Sequence, residues 1–452
     1  MKEIFRLIQR KPNLISLANG DPHFSLYPIR KVVFDVASVA EIDPVASWKA
    51  ATPTTQSQEL ISSGDSSCVL PIKTVLGYGH GSGCTEAQQA VTTLTNFYHS
   101  PPNHVVTLTL GNSDGISKCF RLLGDPGDHF LADEFSFTSF KIDGGGLVPE
   151  ELEKILTEWK SGRRRKPHVL YTVPCGQNPT GSNLSIERRK RIYNIAQRFD
   201  LIIVEDDPYY FLQYGSAQSQ ETCHTAPFMA SFLSMDTDGR VMRLDSFSKI
   251  IAPGMRLGWL TTNPTFHAHL ISYIDSSTQF PHAFGQMFIA EILGVHGWQL
   301  EGFDRWVRSM RAEYQRRRDL FMNIFTRTVG NTGWASASPP DAGMFVWIRV
   351  NVELHSRYRR VCTGKIMDGP QSCTRTNVPQ LMQELFERCM DNGLIIMPAS
   401  IFALKALPEY DGANDRIEDR SNFLRATFAG AEESMEAGLT ILADVLDGFF
   451  AA

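Results

Sequence analysis

Five short apolar runs, each closed by a polar cluster, constrain this chain more than any other feature. VVTLTL (105–110), HFLAD (129–133), HVLYTVP (168–174), LIIVE (201–205) and VMRLDS (241–246) are nearly continuous in apolar residues. A strand with one wet face alternates, so unbroken runs predict strands covered on both faces. Between two of them, ERRKRIYNIAQRF (187–199) carries Ile192, Ile195 and Phe199 at helical spacing, which predicts a crossover helix. The pattern predicts an α/β fold with a mostly parallel central sheet and helices on both faces.

A smaller α+β unit is expected downstream. Residues 301–329 predict a long helix with Val307, Met310, Tyr314, Phe321 and Phe325 along its apolar line. Arg305, Arg308, Arg311 and Arg316 to Arg318 flank that line and are expected in solvent, as charged helix faces usually are. Residues 342–350 and 423–428 predict strands of this unit. The expected division is an N-terminal segment with part of the small domain over 1–74, a large domain carrying the site over 75–300, and a small C-terminal domain over 301–452. Two stretches, 39–72 and 353–378, are rich in Ser, Thr, Gly and Pro without periodicity and are expected as surface insertions.

Composition excludes several functions. A net charge of -5 over 452 residues argues against a nucleic-acid partner or an anionic membrane surface. The eight cysteines are scattered, with no CxxC and no pairing with histidine, so neither a metal site nor a disulfide framework is expected. No apolar run reaches the roughly 20 residues that span a bilayer. The expectation is a cytoplasmic protein.

In open α/β sheets, ligands bind beyond the carboxyl ends of the strands. After the first run comes Gly111-Asn112-Ser113-Asp114-Gly115, and after the second Glu134-Phe135-Ser136-Phe137. The third is followed by Gln177-Asn178-Pro179-Thr180-Gly181, the fourth by Asp206, Asp207, Tyr209 and Tyr210. The fifth ends on Ser246, with Ser248, Lys249 and Arg256 close behind. A glycine turn, an aromatic, an amide, a carboxylate with a phenol, and a lysine thus converge on one crevice. Pyridoxal 5'-phosphate needs each of these types. A lysine amine must bond to its aldehyde and later move a proton. A carboxylate must keep the pyridine nitrogen protonated, and the phosphate wants backbone donors at a helix start with hydroxyls and a guanidinium.

Taken singly, each residue has a plainer reading. Asp207 could be a solvated strand-end carboxylate, Phe137 core, Tyr78 a loop anchor, and Arg425 a surface ion pair. Cys175 has no histidine nearby in sequence and is expected to be structural. Ser246 to Lys249 also has the Ser-x-x-Lys spacing of serine acylases, whose Ser-Asp-Asn and Lys-Thr-Gly companions are absent.

YTVPCGQNPTG, IIVEDDPYYFL, RLDSFSKIIAPGMRLGW and SNFLRATF together resemble the fold-type-I aminotransferases, in particular the fungal aromatic and kynurenine/2-aminoadipate aminotransferases. The resemblance implies that Lys249 carries pyridoxal 5'-phosphate, that Asp207 meets the pyridine nitrogen, and that Asn178 and Tyr210 meet the ring oxygen. It implies that Asn112, Ser113, Ser246, Ser248 and Arg256 hold the phosphate and that Phe137 stacks on the ring. Tyr78 would reach the phosphate of a neighbouring subunit in a homodimer. Arg425 would clamp the substrate α-carboxylate, with Gly20 lining the substrate side. The implied reaction moves an amino group from tyrosine, phenylalanine or tryptophan to an oxo acid, 2-oxoglutarate first among them. Kynurenine and 2-aminoadipate are further donors in that group. Decarboxylation or elimination would use the same lysine and aspartate.

One departure stands out. After Phe137 the chain runs through Thr138-Ser139-Phe140 directly into KIDGGGLVPEELEKIL. A crossover between parallel strands takes a dozen residues or more, so one helix–strand unit is expected to be missing here. That leaves an inactive paralogue as the alternative.

Overall fold

The apolar runs become the strands of one seven-stranded sheet. In the computed structural model the described residues are 22–50, 57–64, 67–133, 139–140, 142–159, 165–214, 224–363, 373–403 and 417–452. An antiparallel hairpin, β1 (Val32–Ala37) with β2 (Ser57–Ser62), precedes the sheet. The sheet contains β3 (Val105–Thr109), β4 (Phe130–Asp133), β5 (Ser139–Phe140), β8 (Val169–Thr172), β9 (Ile202–Asp206), β10 (Val241–Ser246) and β11 (Gly258–Thr262), in the order β3-β11-β10-β9-β8-β4-β5. β6 (Ile142–Asp143) and β7 (Gly146–Leu147) form a separate small hairpin. The pairs from β10 through β9, β8 and β4 to β5 are all parallel, and only β11 runs against its two neighbours.

Both faces of the sheet are covered, as unbroken apolar strands require. Leu131, Leu170, Ile203 and Val241 pack with Leu152 and Ile192 on one face. Their chain neighbours Ala132, Val169, Val204 and Met242 pack with Cys119 on the other. The period-two alternation of a strand sends adjacent residues to opposite sides, so each run had to be apolar throughout. Helices Pro149–Glu158 and Ile186–Phe199 supply the first cover, and Asn112–Leu123 lies on the second. Ser185 caps the helix Ile186–Phe199 by accepting from the Arg188 amide at 3.3 Å.

A four-stranded antiparallel sheet follows, in the order β12 (Ala335–Ser336), β13 (Phe345–Val350), β17 (Phe423–Thr427), β16 (Met397–Pro398). It shares a core with the large sheet, because Tyr171, Val173 and Tyr209 cluster with Phe345, Val346 and Phe428. The helices Gln299–Arg327, Val378–Asp391 and Glu432–Phe450 pack around this second sheet.

Two expectations need correction, and a third gains detail. The stretch 39–72 is not a surface insertion throughout, since Val45 is buried and Leu60, Leu70 and Ile72 pack with Val106, Leu108 and Trp259. The Glu291 carboxylate anchors it by accepting from the amides of Val69 and Leu70 at 3.1 and 2.8 Å. The arms of 353–378 pair as a hairpin, β14 (Arg360–Thr363) with β15 (Cys373–Thr376), and Asp419 accepts from the Thr376 amide at 2.8 Å. The arginine flank of the long helix is solvated only in part, with Arg316 exposed. Arg311 and Arg318 are buried, donating to the carbonyls of Ala226 and Pro340 at 3.0 Å each. Arg308 also donates to Ala226 and lies over the Phe228 ring at 5.2 Å. These guanidiniums satisfy loop carbonyls that would otherwise be buried unpaired.

At the edge of the large sheet, Ala132 and Asp133 pair with Ser139 and Phe140 in parallel. The connection is residues 134–138, too short for a crossover helix. Phe137 and Gly20 both lie outside the described residues.

Candidate active site

The site is assembled at the carboxyl ends of β9 and β10. Leu244 is level with Asp206 in their parallel register, and the Asp207 amide continues the ladder to the Leu244 carbonyl at 3.0 Å. Asp207 therefore sits just past one strand end, beside Asp245 near the end of the other. A single 3-10 turn, Phe247–Lys249, follows β10, and Ser246 caps it by accepting from the Ser248 amide at 3.0 Å. The two serine hydroxyls are 2.9 Å apart. Lys249 is half-buried at the end of this turn. Burial, then Arg425, then Arg256 lower its pKa below the ordinary lysine value. The amine thus lies in the fields of two guanidiniums.

Gly111 turns the chain from β3 into the helix Asn112–Leu123 with φ +90°. A Cβ there would lie 3.0 Å from Arg256 Nη2, so a side chain would fill the gap between helix start and guanidinium. Arg256 donates to the carbonyls of Leu110 at 3.2 Å and Pro253 at 3.1 Å. Ser113 is exposed in the helix's first turn, where amides lack intrahelical partners. Asn112 donates to Asp206 Oδ1 at 2.6 Å, and its own side-chain oxygen is buried without a partner among the described residues.

Arg425 of β17 donates to Asn178 Oδ1 at 2.7 Å. Its guanidinium is stacked over Phe345 at 4.3 Å and Phe402 at 4.7 Å. This is not the surface ion pair of the plain reading. The loop bearing Asn178 reaches β17 because Gly176 and Gly343 pass in near-contact, a Cβ on either meeting the other's backbone within 3 Å. The Asn178–Pro179 peptide is cis. Gln177 closes the turn, accepting from the Thr180 amide at 3.0 Å.

The adjacent aspartates have different environments. Asp206 is engaged on both oxygens, by Asn112 and by the Tyr171 hydroxyl at 2.7 Å. Asp207 accepts from Arg243 at 3.0 Å through Oδ2, and its Oδ1 is buried without a partner among the described residues. Burial pushes the Asp207 carboxyl up to about 7, opposed by Arg243. An orphaned carboxylate oxygen in such a place is costly unless a donor or cation meets it. Tyr210 lies one turn on, its amide donating to the Asp207 carbonyl at 3.3 Å. Its ring is 1% exposed, packed at 4.7 Å from both His99 and the Arg243 guanidinium. Tyr78 is at the opposite extreme, 68% exposed with an edge contact to Phe280 at 6.5 Å. Cys175 is buried with its thiol pKa raised well above the usual value, which suits an inert structural thiol.

Pyridoxal 5'-phosphate fits this donor set. The free Asp207 oxygen suits a protonated pyridine nitrogen, and the Gly111–Arg256 cradle with the helix start suits a phosphate. Several participants were not singled out from sequence. Arg243, Glu205 and Asp245 form a buried cluster behind Asp207, and Phe345 and Phe402 sandwich Arg425. The cluster had a signal: charged residues two apart inside otherwise apolar strands. Phe402, far from Arg425 in sequence, had none.

The fold and this crevice define an enzyme that transfers amino groups, and the chain belongs to the aminotransferase class I and II family, whose pattern matches residues 41–442. It is 48% identical to the L-tyrosine:2-oxoglutarate aminotransferase amt1 of Serpula lacrymans over 100% of this chain and 93% of that protein. It is 44% identical to the L-tyrosine:2-oxoglutarate aminotransferase atrD of Tapinella panuoides, again over 100% and 93%. Its structure matches that of aminotransferase Aro8 from Candida albicans with a TM-score of 0.82 and 26% identity, over 100% of this chain and 95% of that one. The alignment to amt1 runs over 493 positions although this chain has 452 residues, so about 40 positions have no residue here.

Proposed function

We propose that this protein is a pyridoxal-phosphate-dependent aromatic aminotransferase that takes the amino group of tyrosine, phenylalanine or tryptophan and passes it to 2-oxoglutarate. The observation that carries the reading is the unpartnered, buried oxygen of Asp207 just past the end of β9, beside the β10 strand that leads to Lys249, an amine on which both Arg425 and Arg256 act. The names of the two fungal relatives support the substrate pair.

When bound, pyridoxal 5'-phosphate supplies an aldehyde for the amine and a cationic ring that accepts the electron pair left by the α-proton. The residues do the rest. Lys249, its pKa lowered by burial, Arg425 and Arg256, would take up the proton from the α-carbon. Asp207 keeps the ring nitrogen protonated, while Asn178 and Tyr210 hold the ring oxygen. Arg256, Ser246, Ser248, Asn112 and Ser113 hold the phosphate. Arg425 grips the α-carboxylate common to both substrates through a planar fork. The exposed Tyr78 suits a homodimer in which it reaches the partner's site. No helix among the described residues is long and apolar enough to cross a membrane, and the proposed compartment is the cytoplasm.

The test is to incubate the purified chain with pyridoxal 5'-phosphate, tyrosine and 2-oxoglutarate. The 2-oxo acid of tyrosine and glutamate should form in equal amounts, and Lys249→Ala should form neither. Tyramine with carbon dioxide would replace this reading with decarboxylation. Turnover persisting in Lys249→Ala would overturn the assignment of the lysine.

A further inference from the structure

Asp207 belongs to a buried charged cluster. Arg243, wholly buried on β10, lies 3.0 Å from Asp207 Oδ2, 3.0 Å from Glu205 Oε1 and 2.7 Å from Asp245 Oδ1. Its Nε gives Asp245 a second bond at 2.9 Å. Glu205 and Asp207 are two residues apart, as are Arg243 and Asp245, so strand alternation turns all four to one face. Glu205 is fixed from the other side by the amides of Phe232 and Leu233 at 2.8 and 3.1 Å.

The other groups acting on Asp207 come from the elements around it. Arg189, buried on the helix Ile186–Phe199, donates to the carbonyls of Leu184, Ala230 and Pro174. Cys175 and Tyr210 approach from their loops, and His99, behind Tyr210, is held neutral by burial. Three carboxylates therefore face two guanidiniums, before Asp206 on the opposite side is counted. A buried cluster with surplus negative charge takes up either a proton or a cation. Within it, Asp207 Oδ1 is the atom without a partner.

We propose that Arg243 is a positioning residue for the cofactor carboxylate: it holds Asp207 by one oxygen, leaves the other for the ring nitrogen, and with the surplus carboxylates makes the site select a pyridinium cation. This rests on the proposed cofactor. The two partners pull in opposite directions, Arg243 lowering the Asp207 pKa and Glu205 raising it. Changing either should shift the pH below which a pyridinium is no longer held, and the shifts should have opposite signs.

The probe is pyridoxamine 5'-phosphate, which binds the protein freed of cofactor without a covalent bond, so affinity is read apart from activity. Its dissociation constant is measured by equilibrium dialysis from pH 8 to pH 6 for the wild type, Glu205→Gln, Arg243→Lys and Arg243→Met. Ligand titrations cancel in the ratio of variant to wild type. For Glu205→Gln that ratio should fall about threefold or more as pH drops, because Asp207, relieved of the Glu205 charge, stays ionised to lower pH and keeps hold of the pyridinium when the wild type lets go. For Arg243→Met it should rise about tenfold, with Arg243→Lys restoring most of the affinity. If Arg243→Met fails to fold, Glu205→Gln, which keeps the guanidinium, decides. A ratio flat within about twofold for Glu205→Gln overturns the proposal. A wild type that binds no pyridoxamine 5'-phosphate at any pH would instead overturn the cofactor reading itself.

Discussion

Replacing Arg425 with lysine keeps the charge and removes the fork. The guanidinium lies between Phe345 and Phe402 and has one Nη1 bond to Asn178, which leaves donors free for a substrate carboxylate. A lysine gives the carboxylate at most one of two charge-assisted bonds, each worth about 1.5–3 kcal/mol. It also loses the flat contact with two rings, about 0.5–1 kcal/mol apiece at a half-buried position. A net loss of about 2.5–5 kcal/mol follows, or roughly 70- to 5,000-fold in kcat/KM. Because the positive charge remains, its effect on Lys249 should be largely kept. The α-carboxylate is common to tyrosine and 2-oxoglutarate, so both half-reactions should fall together. Steady-state kinetics with each substrate varied in turn, alongside cofactor affinity by dialysis, provide the assay. A loss under about threefold, a loss confined to one substrate, or release of the cofactor would each refute the assignment of this arginine as the carboxylate clamp.

Other positions give independent checks. Gly111→Ala forces a side chain onto φ +90° and against Arg256, so pyridoxal-phosphate affinity should drop with a cost of about 1–3 kcal/mol; unchanged affinity would place the phosphate elsewhere. Trp259→Ala opens a cavity beside Phe247, which begins the lysine turn, and removes the indole bond to Thr95 at 3.2 Å. A destabilisation of about 3–5 kcal/mol should appear in thermal or denaturant unfolding. Asp133 is buried and its carboxyl is pushed up to about 7 from 3.8 by that burial. Since its folded pKa is raised, the stability it contributes is full below the unfolded value and is lost as pH rises through about 7. Between pH 5 and pH 8 this amounts to about 3 kcal/mol, and Asp133→Asn should shrink the measured difference in urea stability by that order.

Much of this was legible because the sheet is doubly covered. β8, β9 and β10 could be read to within a residue or two, since a strand buried on both sides leaves an unbroken apolar run. The candidate residues past the strand ends came from a single geometric rule, that ligands collect beyond carboxyl ends, whereas Arg425, Tyr78 and Gly20 came only from the resemblance. What stayed hidden has a common cause. The stretch 39–72 has the composition of a loop, and only tertiary contacts such as the Glu291 carboxylate on the amides of Val69 and Leu70 make it core. Arg311 and Arg318 resembled a wet helix face because sequence does not show which loop carbonyls will lie against it. The pairing of Asn178 with Arg425 spans 247 residues and depends on two glycine backbones passing in contact.

The shortened connection after β4 can be weighed by where it falls in the sheet. β4 is flanked by β8 on one side and on the other by β5, whose two residues make the edge. A five-residue connection there leaves no room for a crossover helix and only two residues of edge strand, while the hydrogen-bond ladders of the inner strands are untouched. β9 and β10, which carry Asp207 and lead to Lys249, keep full-length neighbours in β8 and β11. The groups behind Asp207 come from β9, β10, the helix Ile186–Phe199 and the turn near Phe232, all on the far side of β8 from the edge or beneath the sheet. Arg425 and Asn178 are fixed by the second sheet and the loop after β8. Phe137, which the resemblance assigns to the cofactor's face, falls in the sequence between β4 and β5. The shortening should therefore weaken what presses on the cofactor's face more than what holds its nitrogen, its phosphate or the substrate carboxylate. That predicts an enzyme with lowered cofactor affinity and an intact preference for α-carboxylates. Dialysis beside kinetics at saturating pyridoxal 5'-phosphate separates the two effects. Normal cofactor affinity with lost carboxylate preference would show that damage at the edge reaches the centre.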